Sequence, residues 1–140
     1  LKVTAIDISE NMLKEAKKMV AKAKFVKMDV RELKFPKQSF NGCWIMATLS
    51  DVEKSKALDS LKKVSSVLAD NGILYIGVKE GQGEAVVQKP KYGNLPKFYA
   101  YYQQEELEKL LIEAGFTILN STVSDDSGQK WVEIFAKVVR

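Results

Sequence analysis

Apolar residues along this chain switch between two periods, and the switches mark its elements. Val3, Ala5, Ile6 and Ile8 form a short apolar run broken by Asp7 and closed by Ser9, which predicts a buried strand with a polar end. Behind it, Met12, Leu13, Ala16, Met19 and Val20 recur at helical spacing, with Ser9 suited to the N-cap and Glu10 to the first turn. Phe25, Val26 and Met28 predict a second strand ending at Asp29-Val30, and residues 31–39, with Pro36, read as a connection. Residues 40–47 read as a third strand, with Gly42 marking a place where something approaches the backbone closely. Leu58, Leu61, Val64, Val67 and Leu68 predict a helix over 51–69, closed by Asn71-Gly72. A fourth strand follows over 73–78. Residues 81–96 hold three glycines, Pro90 and Pro96 and show no hydrophobic period, so a lid loop is expected over about 80–102. Leu107, Leu110, Leu111 and Ala114 define a helix over 103–114 with Gly115 as its stop; strands over 116–123 and 131–139 then flank a turn at 124–128.

Strands too apolar to face water on either side, alternating with helices, predict an α/β domain: a mostly parallel sheet between two helical layers. The last two strands break the pattern. Only about five residues join them, too few for the dozen or more that a parallel crossover needs, so they must form an antiparallel hairpin. At 140 residues the chain is expected to be a single domain.

Composition narrows the function classes. A formal charge of +4 arises almost entirely from lysine, with Arg31 and Arg140 the only arginines, so forks for bidentate phosphate recognition are scarce. The single cysteine, Cys43, excludes a disulfide within the chain and fits a reducing cytoplasm. No apolar run approaches the ~20 residues of a membrane helix. There is no histidine.

The segment Glu105-Glu106-Leu107-Glu108-Lys109-Leu110-Leu111-Ile112-Glu113-Ala114-Gly115-Phe116, preceded by Phe98-Tyr99-Ala100-Tyr101-Tyr102 and followed by a terminal hairpin, resembles the corresponding part of class I S-adenosylmethionine-dependent methyltransferases. The resemblance runs from that family's second strand to its seventh and implies its Rossmann-like, three-layer sheet and S-adenosyl-L-methionine as cofactor. It also implies roles. Asp7 stands where the family's acid accepts hydrogen bonds from both ribose hydroxyls, Ile8 against one adenine face, with Met12 in register behind them. Asp29 and Val30 stand where an acid and the next backbone amide meet the adenine edge. Ala47 falls near the methionyl part. Each acid has a plainer reading, Asp7 as a helix-capping residue and Asp29 as an Asx-turn.

Around the acceptor, the resemblance points to Leu49, Lys79, Tyr99 and Tyr101, although Leu49 and the tyrosines equally suit core packing. No catalytic residue is assigned. The family's strand and glycine-rich turn before Asp7 have no counterpart here, since Gly81-Gln82-Gly83 follows the wrong strand. The chain is therefore expected to be an N-terminally truncated domain of a longer protein, with two sheet edges left unpaired and, standing alone, a homo-oligomer formed through those edges.

The function implied is methyl transfer to a small-molecule acceptor in the cytoplasm. Nucleic acid is the less favoured partner, because Ala47-Thr48-Leu49-Ser50 lacks an Asn-Pro-Pro-Tyr type motif. The alternatives are a catalytically silent methyltransferase-like binding protein and a nucleotide-binding oxidoreductase domain, whose acid after the second strand also binds ribose.

Overall fold

The computed structural model describes residues 1–140, with the side chain of Tyr92 left aside. The element order is β1 (Thr4–Asp7), α1 (Glu10–Met19), β2 (Lys24–Lys27), β3 (Phe40–Met46), α2 (Lys54–Val67), β4 (Leu68–Lys79), β5 (Glu84–Gln88), β6 (Pro96–Ala100), α3 (Gln104–Glu113), β7 (Phe116–Asp126) and β8 (Gln129–Val138). Short 3-10 turns lie at Val30–Glu32, Leu49–Asp51 and Pro90–Tyr92.

The strands form three groups: β1 with β2, then β3-β4-β8-β7, then β5 with β6. β1 and β2 run parallel, as do β3 and β4, whereas β8 lies antiparallel between β4 and β7. The antiparallel ending expected from the short connection is present. It turns on Ser127 and Gly128, both at positive φ, with Asp126 opposite Gln129. That is the two-residue hairpin geometry whose twist matches the strands it joins.

Helix ends follow local chemistry. Ser9 Oγ accepts from the Met12 N–H at 3.3 Å, capping α1 as expected. At α3, Glu106 Oε1 accepts from the Gln103 N–H at 3.2 Å. α2 ends earlier than the apolar pattern suggests, because Leu68 already pairs with Phe40; the chain bulges between this pair and Gly42–Ile73. Gly72 sits in that bulge, where a Cβ would stand 2.8 Å from the Ala69 carbonyl oxygen. Gly42 does not mark a close approach: its nearest neighbour, the Ile73 carbonyl, would be in ordinary contact at 3.7 Å.

The lid expectation is corrected in form. Residues 84–100 make an antiparallel hairpin in which Ala85 pairs with Tyr99 and Val87 with Lys97. Prolines and glycines hid it, because they interrupt the alternation that identifies strands; Pro96 is tolerated at a strand's first residue. The hairpin is tied to the sheet by backbone bonds, Tyr102 N–H to the Lys79 carbonyl and Gly81 N–H to the Tyr102 carbonyl.

The core lies on one face of the four-stranded sheet. Leu74, Ile76 and Val78 of β4 and Val132, Ile134 and Ala136 of β8 meet Ala57, Leu61 and Val64 of α2 and Leu107 and Leu111 of α3. The other face carries a cross-strand aromatic row, Trp44–Tyr75–Phe135, with Trp44 stacked on Tyr75 at 3.9 Å. Trp44 is 71% exposed and Phe135 43%. Among the described residues β1 pairs only with β2 and β3 only with β4, so each has one open edge.

Burial is uneven along the chain. No residue before Ile45 is fully buried, and Val30 and Leu33 reach the core only as partly buried neighbours. Local opening is set by such differences. Amide hydrogen exchange is therefore expected to be much faster over 4–27 than in the centres of β4 and β8; equal protection in the two regions would contradict this division.

Candidate functional site

β1 and β2 are parallel, so their polar ends emerge on one side, and the Met28 N–H donates to the Asp7 carbonyl at 3.1 Å. Asp7 and Asp29 are thereby brought to the same edge. Asp7 Oδ1 accepts from the Ser9 N–H at 2.9 Å, an Asx-turn contact that leaves the capping of α1 to Ser9 itself. Its second oxygen makes no hydrogen bond among the described residues. Ile8 and Met12 are exposed beside it.

Asp29 is committed more fully. Its Oδ1 accepts from the Arg31 N–H at 2.8 Å, and the Arg31 guanidinium lies 3.0 Å (Nε) and 2.6 Å (Nη2) from the carboxylate. The Arg31 hydrogen bonds hold the Asp29 carboxyl below the usual range. The same guanidinium reaches Glu53 Oε1 with Nη1 at 2.7 Å, and Lys63 Nζ donates to the Arg31 carbonyl at 2.6 Å. Arg31, which sequence reasoning placed in a plain connection, thus fastens the end of β2 to the start of α2. The signal was there: an arginine two residues after a strand-terminal acid, in a chain with only two arginines.

β3 ends at Met46, and Ala47 then adopts φ +62 while its N–H donates to the Gly77 carbonyl at 2.9 Å. A left-handed alanine costs about 1–2 kcal/mol, and such strain concentrates where a chain must present groups to a ligand. Leu49 follows in the 3-10 turn but is buried in the core, so its side chain packs.

Lys79, at the end of β4, and the hairpin residues converge. Lys97, Tyr99 and Tyr101 alternate along the chain from β6 and so share a face. Tyr99 and Tyr101 stack with centroids 5.8 Å apart, and Lys79 Nζ lies 4.5 Å from the Tyr99 centroid. The structure therefore brings together three of the four residues expected near the acceptor. Two further lysines stand around the same ring: Lys97 Nζ, 5.1 Å from its centroid and 3.4 Å from Asp51 Oδ1, and Lys89 Nζ at 5.6 Å.

Other polar groups are structural. Tyr102, buried beneath Lys54 at 4.6 Å, has its hydroxyl pKa pushed upward by burial and by Glu106 and Glu84. Cys43, an expected buried thiol, is pushed up to about 11 by burial and stays protonated at neutral pH. Glu133 is held below the usual carboxyl range by Ser124 and Tyr75, each 2.8 Å away. Two open concavities of about 420 and 390 Å³ border the start of α3; Glu80, Gln103 and Lys130 line the first, and neither includes Asp7, Asp29 or Ala47. Asp7, Asp29 and Ala47 stand instead at or just beyond strand ends, and ligands of open α/β sheets bind at the carboxyl ends of parallel strands. No group of three or more metal-ligating side chains occurs among the described residues.

The Asp29–Arg31 pair makes a pH prediction. A carboxylate with a depressed folded pKa stabilises the fold fully above its unfolded value, about 3.9, and loses that contribution as pH falls through the lower folded value. Both side chains are partly exposed, so the effect should be about 1 kcal/mol. Denaturant unfolding should show Arg31→Gln less stable than the parent above about pH 5, with the gap closing towards pH 3. A gap independent of pH would remove Asp29 as its cause.

Comparison with known proteins identifies the family and the fold. Residues 1–72 match the sequence profile of a methyltransferase domain family. No curated protein matches the chain. Among solved structures, it is similar to a SAM-dependent methyltransferase from Methanosarcina mazei, at 22% identity and TM-score 0.86, over 99% of this chain and 82% of that one. It also resembles the 1,6-didemethyltoxoflavin-N1-methyltransferase of Burkholderia thailandensis, solved with 1,6-didemethyltoxoflavin and S-adenosylhomocysteine, at 22% identity and TM-score 0.78, over 99% and 62% of the two chains. A third similar structure is the Haloferax volcanii complex of a methyltransferase with the Trm112 methyltransferase activator, at 12% identity and TM-score 0.80, over 99% and 72%. The strand order, the antiparallel final strand and the match over its first half show that the chain belongs to the methyltransferase domain family, with the fold of SAM-dependent methyltransferases.

Proposed function

We propose that this protein transfers the methyl group of S-adenosyl-L-methionine to a small-molecule acceptor. The observation that carries the reading is the placement of Asp7 and Asp29 on one edge, at the carboxyl ends of parallel neighbours. A carboxylate offers about four acceptor positions; Asp7 spends one on Ser9 and retains a full oxygen for two ribose hydroxyls. Asp29 has less capacity to spare, since Arg31 engages both its oxygens. Its part at the adenine edge is therefore to keep a charged acceptor fixed, while the Val30 N–H, first in its 3-10 turn, supplies the donor. Ile8 and Met12 offer exposed apolar surface for the base.

When bound, the cofactor supplies a methyl group on a sulfonium sulfur, already attached to its leaving group. The chain's own contribution is then alignment and exclusion of water, which requires no histidine. Ala47 shapes the backbone at the β3 edge, and Lys79, Tyr99 and Tyr101 face the acceptor. The Burkholderia neighbour, solved with bound 1,6-didemethyltoxoflavin, supports a small-molecule acceptor. An oxidoreductase is disfavoured by the antiparallel β8. The half-buried, free Cys43 thiol supports a cytoplasmic location.

S-adenosylhomocysteine should raise the melting temperature, since a ligand of the native state stabilises it, whereas NAD should not. Asp7→Asn keeps the Ser9 contact but loses charge-assisted acceptance, and should weaken that binding about ten- to a hundred-fold. Unchanged affinity would remove Asp7 from the ribose site, and no melting shift in the parent would favour a silent binding protein.

The open edges of β1 and β3 lead us to propose, further, that copies of this chain, when it stands alone, associate through them. Sedimentation should reveal a species larger than a monomer; a clean monomer would reject the association.

A further inference from the structure

Resting on the methyltransferase reading, we infer that the acceptor is a small anion, a phosphate or carboxylate compound, whose charged end is received by Lys79, Lys89 and Lys97 around Tyr99. The three ammonium groups lie 4.5, 5.6 and 5.1 Å from one ring centroid. A ring has two faces, so at least two of these cations share one. Each gains a modest attraction to the π-cloud, but like charges gathered so closely repel one another. An entering anion relieves that repulsion and gains from it.

The arrangement is built by three separate parts of the fold. Lys79 ends β4, Lys97 and Tyr99 come from β6, and Lys89 follows β5. Backbone bonds from Tyr102 N–H to the Lys79 carbonyl and from Gly81 N–H to the Tyr102 carbonyl fix the hairpin on the sheet, and Asp51, in the 3-10 turn after β3, steadies Lys97 at 3.4 Å. Tyr99 itself is only 4% exposed, so the ring is a floor that fixes where the cations stand. The cluster lies at the carboxyl ends of the parallel pair β3 and β4, where ligands of such sheets bind. Ser50, the residue before the Asp51 that holds Lys97, is buried, and its hydroxyl has no hydrogen-bond partner among the described residues. Lysine suits the task because its compact charge accepts oxyanions of either geometry, without the bidentate fork of arginine.

The test titrates the protein with inorganic phosphate and, separately, with malonate, at constant ionic strength set by chloride, with and without S-adenosylhomocysteine. Melting temperature and the Tyr99 ring resonances are followed. A saturable rise in melting temperature with a shift of those resonances is expected for one anion and not for chloride; phosphate or malonate as the effective one tells a phosphorylated from a carboxylated acceptor. The triple variant Lys79→Gln/Lys89→Gln/Lys97→Gln should weaken this binding by about ten-fold or more while leaving affinity for S-adenosylhomocysteine within about two-fold. Responses no different from chloride, or equal in parent and variant, would overturn the inference. Should the variant fail to fold, the Tyr99 resonances of the parent decide alone. Failure of the parent to bind S-adenosylhomocysteine would instead count against the methyltransferase reading, and the anion titration of the free protein still stands by itself.

Discussion

The Arg31 guanidinium ties the β1–α1–β2 unit to the start of α2, beside the partly buried Val30 and Leu33. Arg31 meets Asp29 at the end of β2 with a fork of donors and reaches Glu53 at the start of α2 with another, while Lys63 grips its carbonyl. The β1–α1–β2 unit contributes no buried residue, so apolar packing alone does little to fix its position. A planar, permanently charged group with several fixed donors does what a lysine at the same place could not. It orients two carboxylates at once. Whatever binds at Asp7 and Asp29 therefore meets an edge whose distance from β3 is set by polar contacts.

The rest of the scaffold is held differently. One face of β4 and β8 is buried by α2 and α3, and their apolar side chains form one cluster with those of the helices. That rigid half carries the lysine and tyrosine cluster, because the β5–β6 hairpin is bonded through its backbone to the end of β4. In the proposed site, then, the cofactor edge rests on an ion-pair junction and the acceptor corner on a packed core. The Trp44–Tyr75–Phe135 row, exposed at Trp44 and Phe135 and buried at Tyr75 between them, lies on the sheet face opposite α2 and α3.

Much of this was legible beforehand, for local reasons. The strand to Asp7, its Ser9-capped helix and the α3 segment are dictated by apolar period and end chemistry within a few residues. The terminal antiparallel pair followed from connection length. The hairpin at 84–100 was not legible, because glycine and proline break its alternation and its partners are strands only by pairing with each other. The end of α2 was misjudged for a related reason: Leu68 suits a helix by its period, and only pairing with Phe40 pulls it into a strand.

The sequence by itself determined the family, the element order and the acids that end β1 and β2, since these depend on neighbours along the chain. Tertiary structure alone decided that Arg31 would occupy Asp29, that Leu49 would be core and that Lys79, Lys89 and Lys97 would share one ring. Those outcomes depend on side chains far apart in sequence meeting through strand pairing. Local period and propensity carry no information about such meetings.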